Sequence, residues 1–409
     1  MLFKDFVQIN PKVDLKKGKT YPYVGMADVN PSRGYVTNSE TREYKNSRSK
    51  FKEGDTLFAR ITPCLENGKI TRFKSDGIKK GFGSTEFFVF RAKEGVSDPN
   101  FVYYLSRSPL IRKTAEKSMA GASGRQRADI TAVEEVEIDP PDLPIQQKIA
   151  SILSGFDDLI ENNTRRIEIL EEMARRIYRE WFVHFRYPGH QEDELVDSGT
   201  ELGEIPEGWE VKKLEDFGEI VLGKTPSTKD SANYGDYMPF IKTPDMHDQI
   251  FIHETENVLS KKGVKTQENK TLPASSICVS CIGTAGVVAL TSVPSQTNQQ
   301  INSIVPENES YREYLYFTTK DLKPLMEKIG STGATMTNVS KTKFKGLPAL
   351  MPNQDLLDTF HYKVGPLFDQ ISTLQKQNIK LKETRNLLLP KLISGKIDIQ
   401  RLKNQGLVL

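Results

Sequence analysis

Ile149-Ala-Ser-Ile-Leu-Ser-Gly-Phe-Asp-Asp-Leu-Ile160 opens a run in which Ile149, Leu153, Phe156, Ile160, Asn163, Ile167, Leu170, Ala174, Ile177 and Trp181 alternate four and three residues apart. Spacing of this kind, sustained over several heptads, predicts a coiled-coil helix rather than a simple amphipathic one. Phe360, Val364, Leu367, Ile371, Leu374, Asn378, Leu381, Arg385, Leu388 and Leu392 repeat the pattern in a second run. Two matching stripes in one chain pack most economically against each other. A helix of about forty residues spans roughly 60 Å at the α-helical rise. Asn163 and Asn378 interrupt the two seams, either as tolerated polar residues or as devices that fix register. Gly365-Pro366 and Pro390 should kink or interrupt the second helix, whereas the first has no proline between Pro144 and Pro188.

Each helix follows a similar passage. Gly121-Ala-Ser-Gly-Arg-Gln-Arg-Ala-Asp-Ile130 precedes the first, and Gly330-Ser-Thr-Gly-Ala-Thr-Met-Thr-Asn-Val339 precedes the second. Each passage leads into a strand-like run and then into Leu143-Pro-Ile-Gln-Gln147 or Met351-Pro-Asn-Gln-Asp355. The chain is therefore a duplicated unit with a period too long for a solenoid of small repeats. Residues 1–143 and 205–351 carry short β-prone runs, such as Glu86-Phe-Phe-Val-Phe90 and Ser276-Ile-Cys-Val-Ser280, separated by Gly-, Ser- and Thr-rich loops. Each also has a helical candidate, Asn100–Ala120 or Tyr311–Lys328. The expectation is α+β: two α+β domains, 1–143 and 205–351, alternating with long helices at 144–186 and 352–409, the latter including a C-terminal tail. Residues 187–204, rich in Pro, Gly and acidic side chains, are the expected linker.

Composition narrows the class. A chain of 409 residues is too long for one ordinary core. No apolar stretch reaches membrane-spanning length and no signal-peptide core opens the chain, so a cytoplasmic location is expected. Three cysteines cannot build a disulfide framework. Cys278 and Cys281 form a CxxC without a second pair or nearby histidines, so core cysteines are expected rather than a zinc site. No metal site is expected anywhere. Residues 1–143 hold 25 basic and 19 acidic side chains, a net +6, whereas residues 197–351 hold 16 and 20, a net −4. The first balance suits a polyanion partner and the second argues mildly against one.

Gly218-Glu-Ile-Val-Leu-Gly-Lys-Thr225 matches the P-loop pattern and raises a remote ATPase reading. Its context disagrees. The preceding Val211-Lys-Lys-Leu-Glu-Asp-Phe217 is too charged for a central strand, Ile-Val-Leu occupies the supposed loop, and Pro226 follows at once. Ile220 to Leu222 should instead be a strand, with Gly223 to Thr228 the loop leaving it. Asp139-Pro-Pro-Asp142 lacks the aromatic residue a base-methylating motif needs to stack on a flipped adenine, and reads as a turn. No catalytic residues are expected.

Several stretches carry a specific resemblance: Leu143-Pro-Ile-Gln-Gln-Lys-Ile-Ala150, Leu170-Glu-Glu-Met-Ala-Arg-Arg-Ile-Tyr-Arg-Glu-Trp-Phe182, Glu204-Ile-Pro-Glu-Gly-Trp-Glu-Val-Lys-Lys-Leu214 and Leu387-Leu-Leu-Pro-Lys-Leu-Ile-Ser-Gly395. In this order they resemble the specificity (S) subunit of type I restriction-modification systems, across essentially the whole chain. The resemblance implies a non-catalytic, sequence-specific DNA reader. Its two target-recognition domains would each read half of an asymmetric bipartite target. Its helices would pair as an antiparallel coiled coil, set the spacing, and dock two methyltransferase (M) subunits, with restriction (R) subunits joining them. S-adenosylmethionine for adenine-N6 methylation, and ATP and magnesium for restriction, would belong to those partners, leaving this chain without a cofactor. A coiled-coil scaffold whose flanking domains bind protein or glycan is the alternative, but it does not explain the duplication.

Base readout needs side chains that hydrogen-bond in the groove, with basic residues on phosphates supplying position and affinity. In the first domain the polar clusters are Arg60 to Thr62, Ser84-Thr85-Glu86 and Arg125-Gln126-Arg127, with Arg60, Thr62, Ser84, Thr85, Arg125, Gln126 and Arg127 the expected DNA contacts. Those in the second are Lys224, Lys242, Thr243, Ser280, Thr284, Asn298, Gln299, Thr335 and Asn338. Asn298 and Gln299 could equally hold their own loop by bonding its backbone.

Overall fold

A computed structural model describes residues 1–37, 40–46, 49–75, 77–122, 124–331 and 337–397. The chain divides into two compact units, Met1–Asn163 with Asn378–Leu409, and Thr164–Gln377. The divide falls inside both long helices, immediately beside Asn163 and Asn378.

In the first unit a five-stranded sheet has the spatial order Val7–Ile9, Phe87–Ala92, Thr56–Ala59, Ile70–Lys74, Tyr35–Thr37. Neighbours run antiparallel except the last pair, which is parallel. Successive side chains on a strand face opposite sides. Phe88 and Phe90 therefore enter one core with Phe101, Tyr104 and Leu153, while Phe87 and Val89 enter another with Val24, Val36 and Phe51. The unbroken apolar run at 87–90 is thus a strand covered on both faces, where each fully buried side chain contributes roughly 1.5–3 kcal/mol. A second sheet pairs Thr20–Val24 with Lys80–Gly83 in parallel and with Glu40–Glu43 antiparallel.

The second unit repeats this topology. Its five-stranded sheet runs Gly218–Leu222, Ile301–Pro306, Ile277–Ser280, Val288–Thr291, Phe251–Ile252, again with a parallel last pair. Tyr234–Ile241 pairs in parallel with Gln296–Thr297 and antiparallel with Asn257–Leu259. Each helical candidate is two helices: Pro99–Arg107 and Pro109–Lys117, then Arg312–Asp321 and Lys323–Gly330. Pro109 and Pro324 sit in the first turn of the second member, where a missing N–H costs nothing, whereas inside one continuous helix each would remove a backbone hydrogen bond.

The P-loop match resolves into this sheet. Gly218–Leu222 is an edge strand paired with Ile301–Pro306, with Ile220 opposite Ile304, so the segment is no phosphate loop. Cys278 and Cys281 are buried, three residues apart on and just beyond one strand. They enter different cores, and burial pushes their thiols up to about 12 and about 11. Among the described residues no group of His, Cys, Asp or Glu is placed to hold a metal, and no helix is long and apolar enough to cross a membrane.

The first long helix is Leu143–Tyr178, closed by a π-turn at Arg179–Val183. The second, Gln354–Ile393, runs without a break. The expected interruption at Gly365-Pro366 does not occur. Pro366 is exposed and Gly365 buried; Gly365 lies against His361 and Glu313, where an added Cβ would touch both. Pro390 likewise lies within the helix.

In the first unit the helices pair antiparallel, since Asp157 meets Arg385 and Asn163 meets Asn378. In the second unit Tyr178 packs near Phe360, with Val364, Phe368 and Ile371 in the same core. Burial extends beyond the heptad stripe. Ala150, Asp157 and Tyr178 are buried although off it, while Phe156, Ile167, Leu170, Ile177, Leu367, Leu381 and Leu388 are only half-buried. The domain helices are the reason: Tyr104 bonds Asp157, and Tyr178 packs on Tyr314 and Phe317. Each half-helix is thus covered by a domain as well as by its partner helix.

Residues 187–204 are structured. Tyr187 is buried and stacks on Trp209 with ring centroids 5.4 Å apart, and Leu195–Asp197 pairs with Glu204–Pro206.

Candidate nucleic-acid interface

Three polar clusters far apart in sequence meet at one end of the first unit's sheet. The Arg60 N–H donates to the Glu86 carbonyl at 2.9 Å, Ala128 N–H to the Arg60 carbonyl at 2.7 Å, and Thr62 N–H to the Gln126 carbonyl at 3.0 Å. Ser84 N–H donates to Val24 at 3.0 Å, which joins the second sheet to the cluster. Around this frame Thr85, Arg125 and Arg127 are exposed, and Arg60, Thr62, Ser84 and Gln126 are half-buried.

Glu86, the last residue of the Ser84-Thr85-Glu86 stretch, organises the cluster. Arg127 donates through Nε and Nη2 to its two carboxylate oxygens at 2.9 and 2.7 Å, and Arg60 Nε lies 3.9 Å away. The hydrogen bond from Arg127 holds the Glu86 carboxyl below the usual carboxylate range against the opposing effect of burial, with the Arg60 charge helping. Arg60 also lies over the Phe88 ring, 4.9 Å from its centroid. The bidentate contact uses one edge of the Arg127 guanidinium, and the Nη1 edge has no partner among the described residues.

The second unit builds the same frame. Cys281 N–H donates to the Gln300 carbonyl at 2.7 Å, Val339 N–H to the Cys281 carbonyl at 2.9 Å, and Asn298 N–H to the Ile241 carbonyl at 3.1 Å. Register makes Arg60, Glu86 and Arg127 the counterparts of Cys281, Gln300 and Asn338. Thr225 donates to the Gln299 side-chain carbonyl at 2.5 Å. Gly223 keeps this loop close, since a Cβ there would strike the Asn298 carbonyl and Thr297. Lys224, Thr284, Gln299 and Asn338 are exposed and Lys242 half-buried.

Three candidates do not reach the surface. Ser280 is fully buried, its hydroxyl donating to Thr284 at 2.5 Å and accepting from Val287 at 2.9 Å. Thr243 is buried in the first turn of a short helix, Thr243–Met246. Asn298 is buried and holds its own loop, bonding both the side chain and the N–H of Gln300. Thr335 lies outside the described residues. The sequence places Glu86 in a polar cluster but gives no sign of its pairing with two arginines, which are 26 and 41 positions away.

The chain is thus a duplicated α+β protein in which each unit carries a polar loop cluster at matching strand ends. The signature of the type I restriction modification DNA specificity domain matches residues 4–172 and 206–356, and the chain belongs to that family. It is 33% identical over 410 residues to the type I restriction enzyme HindI specificity subunit of Haemophilus influenzae, covering 86% of this chain and 88% of that one. It is 29% identical over 313 residues to the MjaIX specificity subunit of Methanocaldococcus jannaschii, covering 76% and 71%. The fold matches the crystal structure of a type I restriction-modification S subunit from M. genitalium with a TM-score of 0.54 at 16% identity, over 96% of this chain and 95% of that one.

Proposed function

We propose that this chain is the DNA-reading subunit of a type I restriction-modification complex and recognises an asymmetric, two-part duplex sequence, one part per unit. The observation that carries this is the repeated strand-end frame: the same backbone hydrogen bonds in both units, presenting different side chains. A constant backbone with variable polar tips suits two readers of unlike sequence, because side chains on base edges specify while the frame only positions. Catalysis belongs to partners: adenine-N6 methylation with S-adenosylmethionine in two M subunits, and ATP- and magnesium-dependent restriction in R subunits. The paired helices set the distance between the readers and dock the M subunits. Exposed apolar side chains on the helices support docking, namely Leu159 and Leu387 in the first unit and Ile169 and Met173 in the second.

The test is binding of the chain, alone and with its M subunit, to random-sequence duplex at rising salt. A steep loss of affinity with salt is expected, because phosphate contacts release counterions. Absence of duplex binding even with M present would overturn the proposal.

A further inference from the structure

The two strand-end clusters share a frame but differ in chemistry. In the first unit the three equivalent positions are Arg60, Glu86 and Arg127; in the second they are Cys281, Gln300 and Asn338. Immediately before Glu86 stand Ser84 and Thr85, and immediately before Gln300 stand Asn298 and Gln299. The first set is charged throughout, whereas the second is a buried thiol and two neutral amides. The bulk charges run the same way, net +6 over residues 1–143 and −4 over residues 197–351.

We infer that the first unit reads a guanine through Arg127, oriented by Glu86, and that the second reads an adenine through the amides of Gln299 and Asn338. This rests on the DNA-reading function proposed above. A guanidinium edge with two parallel N–H groups matches O6 and N7 of guanine, and a carboxamide matches N6 and N7 of adenine. The Glu86 carboxylate occupies the Nε–Nη2 edge of Arg127, which fixes the guanidinium plane and leaves the Nη1–Nη2 edge to present. Pre-orientation of this kind lowers the ordering cost of a bidentate contact. In the second unit Thr225 donates to one lone pair of the Gln299 carbonyl oxygen, which orients the amide and leaves the second lone pair for N6–H and the amino group for N7 of adenine. Asn338 stands exposed where Arg127 stands in the first unit. Arg127 is therefore a specificity-determining residue and Glu86 a positioning residue.

The experiment is selection from a pool of randomised duplexes by the full chain assembled with its M subunit, followed by sequencing of the bound fraction. Wild type should enrich a two-part site with a guanine in one part and an adenine in the other. Arg127→Ala should relax the guanine position by about tenfold or more and leave the other part unchanged. Arg127→Lys should not restore it, because an ammonium lacks the two-pronged edge. Glu86→Gln should weaken the same position while overall affinity holds or rises, since a negative charge is removed near phosphate. Asn338→Ala should relax only the adenine position. Base preferences left intact by Arg127→Ala, with affinity lowered equally for all sequences, would overturn the assignment and make Arg127 a phosphate contact. Failure of wild type to enrich any consensus would overturn the DNA-reading proposal itself.

Discussion

The side-chain amide of Asn163 donates to the side-chain carbonyl of Asn378 at 3.0 Å, across 215 positions of sequence and between the two long helices of the first unit. Asn378 in turn donates to the Ile160 carbonyl at 3.5 Å, and both asparagines are only 7% exposed. Two amides that satisfy each other in an apolar seam define one register, since any slip would set each against hydrocarbon. Asn378→Leu should therefore cost about 1–3 kcal/mol by stranding Asn163. The double Asn163→Leu, Asn378→Leu variant should recover most of that loss. Denaturant unfolding followed by circular dichroism measures both; a single variant as stable as wild type would remove the register role.

A second buried polar cluster lies two turns away. Asp157 bonds Arg385, accepts from the Tyr104 hydroxyl at 2.5 Å and lies 3.6 Å from Arg72, with all three charged side chains 2% exposed or less. Asp157→Asn leaves two buried guanidinium groups without their anion, and breaking a buried pair from one side costs about 3–5 kcal/mol. The denaturant midpoint of the first unit should fall accordingly. Glu172→Ala, which removes an exposed pair with Arg176 on the same helix, should leave the midpoint where it was. Equal effects from the two substitutions would contradict this ranking.

His361 should give the second unit a pH-dependent stability. Its Nδ1 contacts the fully buried carboxylate of Glu313 at 2.7 Å, which Arg312 also engages at 2.6 Å. The Glu313 hydrogen bond raises the His361 pKa above the ordinary 6.5, against burial and the Arg312 charge, with Glu309 adding to the rise. A raised folded-state value means the contribution is complete below about pH 6.5 and disappears as pH climbs through the folded value. The melting temperature should decline over that window, and His361→Gln should flatten the decline. An unchanged pH profile in the variant would exclude His361 as the source.

Partner docking can be tested apart from folding. Ile169 and Met173, 49% and 48% exposed, are i,i+4 neighbours on the open face of the first helix. Ile169→Glu with Met173→Glu should preserve the melting temperature and duplex affinity of the chain yet abolish co-purification with the M subunit. Normal assembly would place docking elsewhere. Leu170, by contrast, packs against the second unit's core, so a charge there would report on folding instead.

The heptad stripes, the duplication and the α+β character were legible because each leaves a strong pattern: a period of seven residues in the helices, short unbroken apolar runs such as 87–90 in the strands, and a repeat of about two hundred residues for the whole unit. The edge strand inside the P-loop match was legible from Ile-Val-Leu. The width of the buried helix face was not, because Asp157 and Tyr178 are buried by domain helices that contact them across 53 and 140 positions. The polar loops were found as clusters, but their convergence depends on backbone pairing between strand ends, which composition does not encode. Ser280 and Asn298 show the converse. Their side chains look outward in a list of polar residues, yet each is consumed by its own loop.

The boundary between the units has a consequence for the order in which the protein is made. The second unit is one uninterrupted stretch, 164–377, whereas the first needs Asn378 and the residues beyond it, including Leu389 and Leu392, which pack with Phe3, Phe101 and Leu153. A ribosome therefore finishes the second unit's sequence while the first, begun earlier, still lacks part of its core and the guanidinium that Asp157 awaits. The unit synthesised first is the last that can close, and the charged Asp157 and the apolar face around Leu153 stand open to water until the final helix arrives.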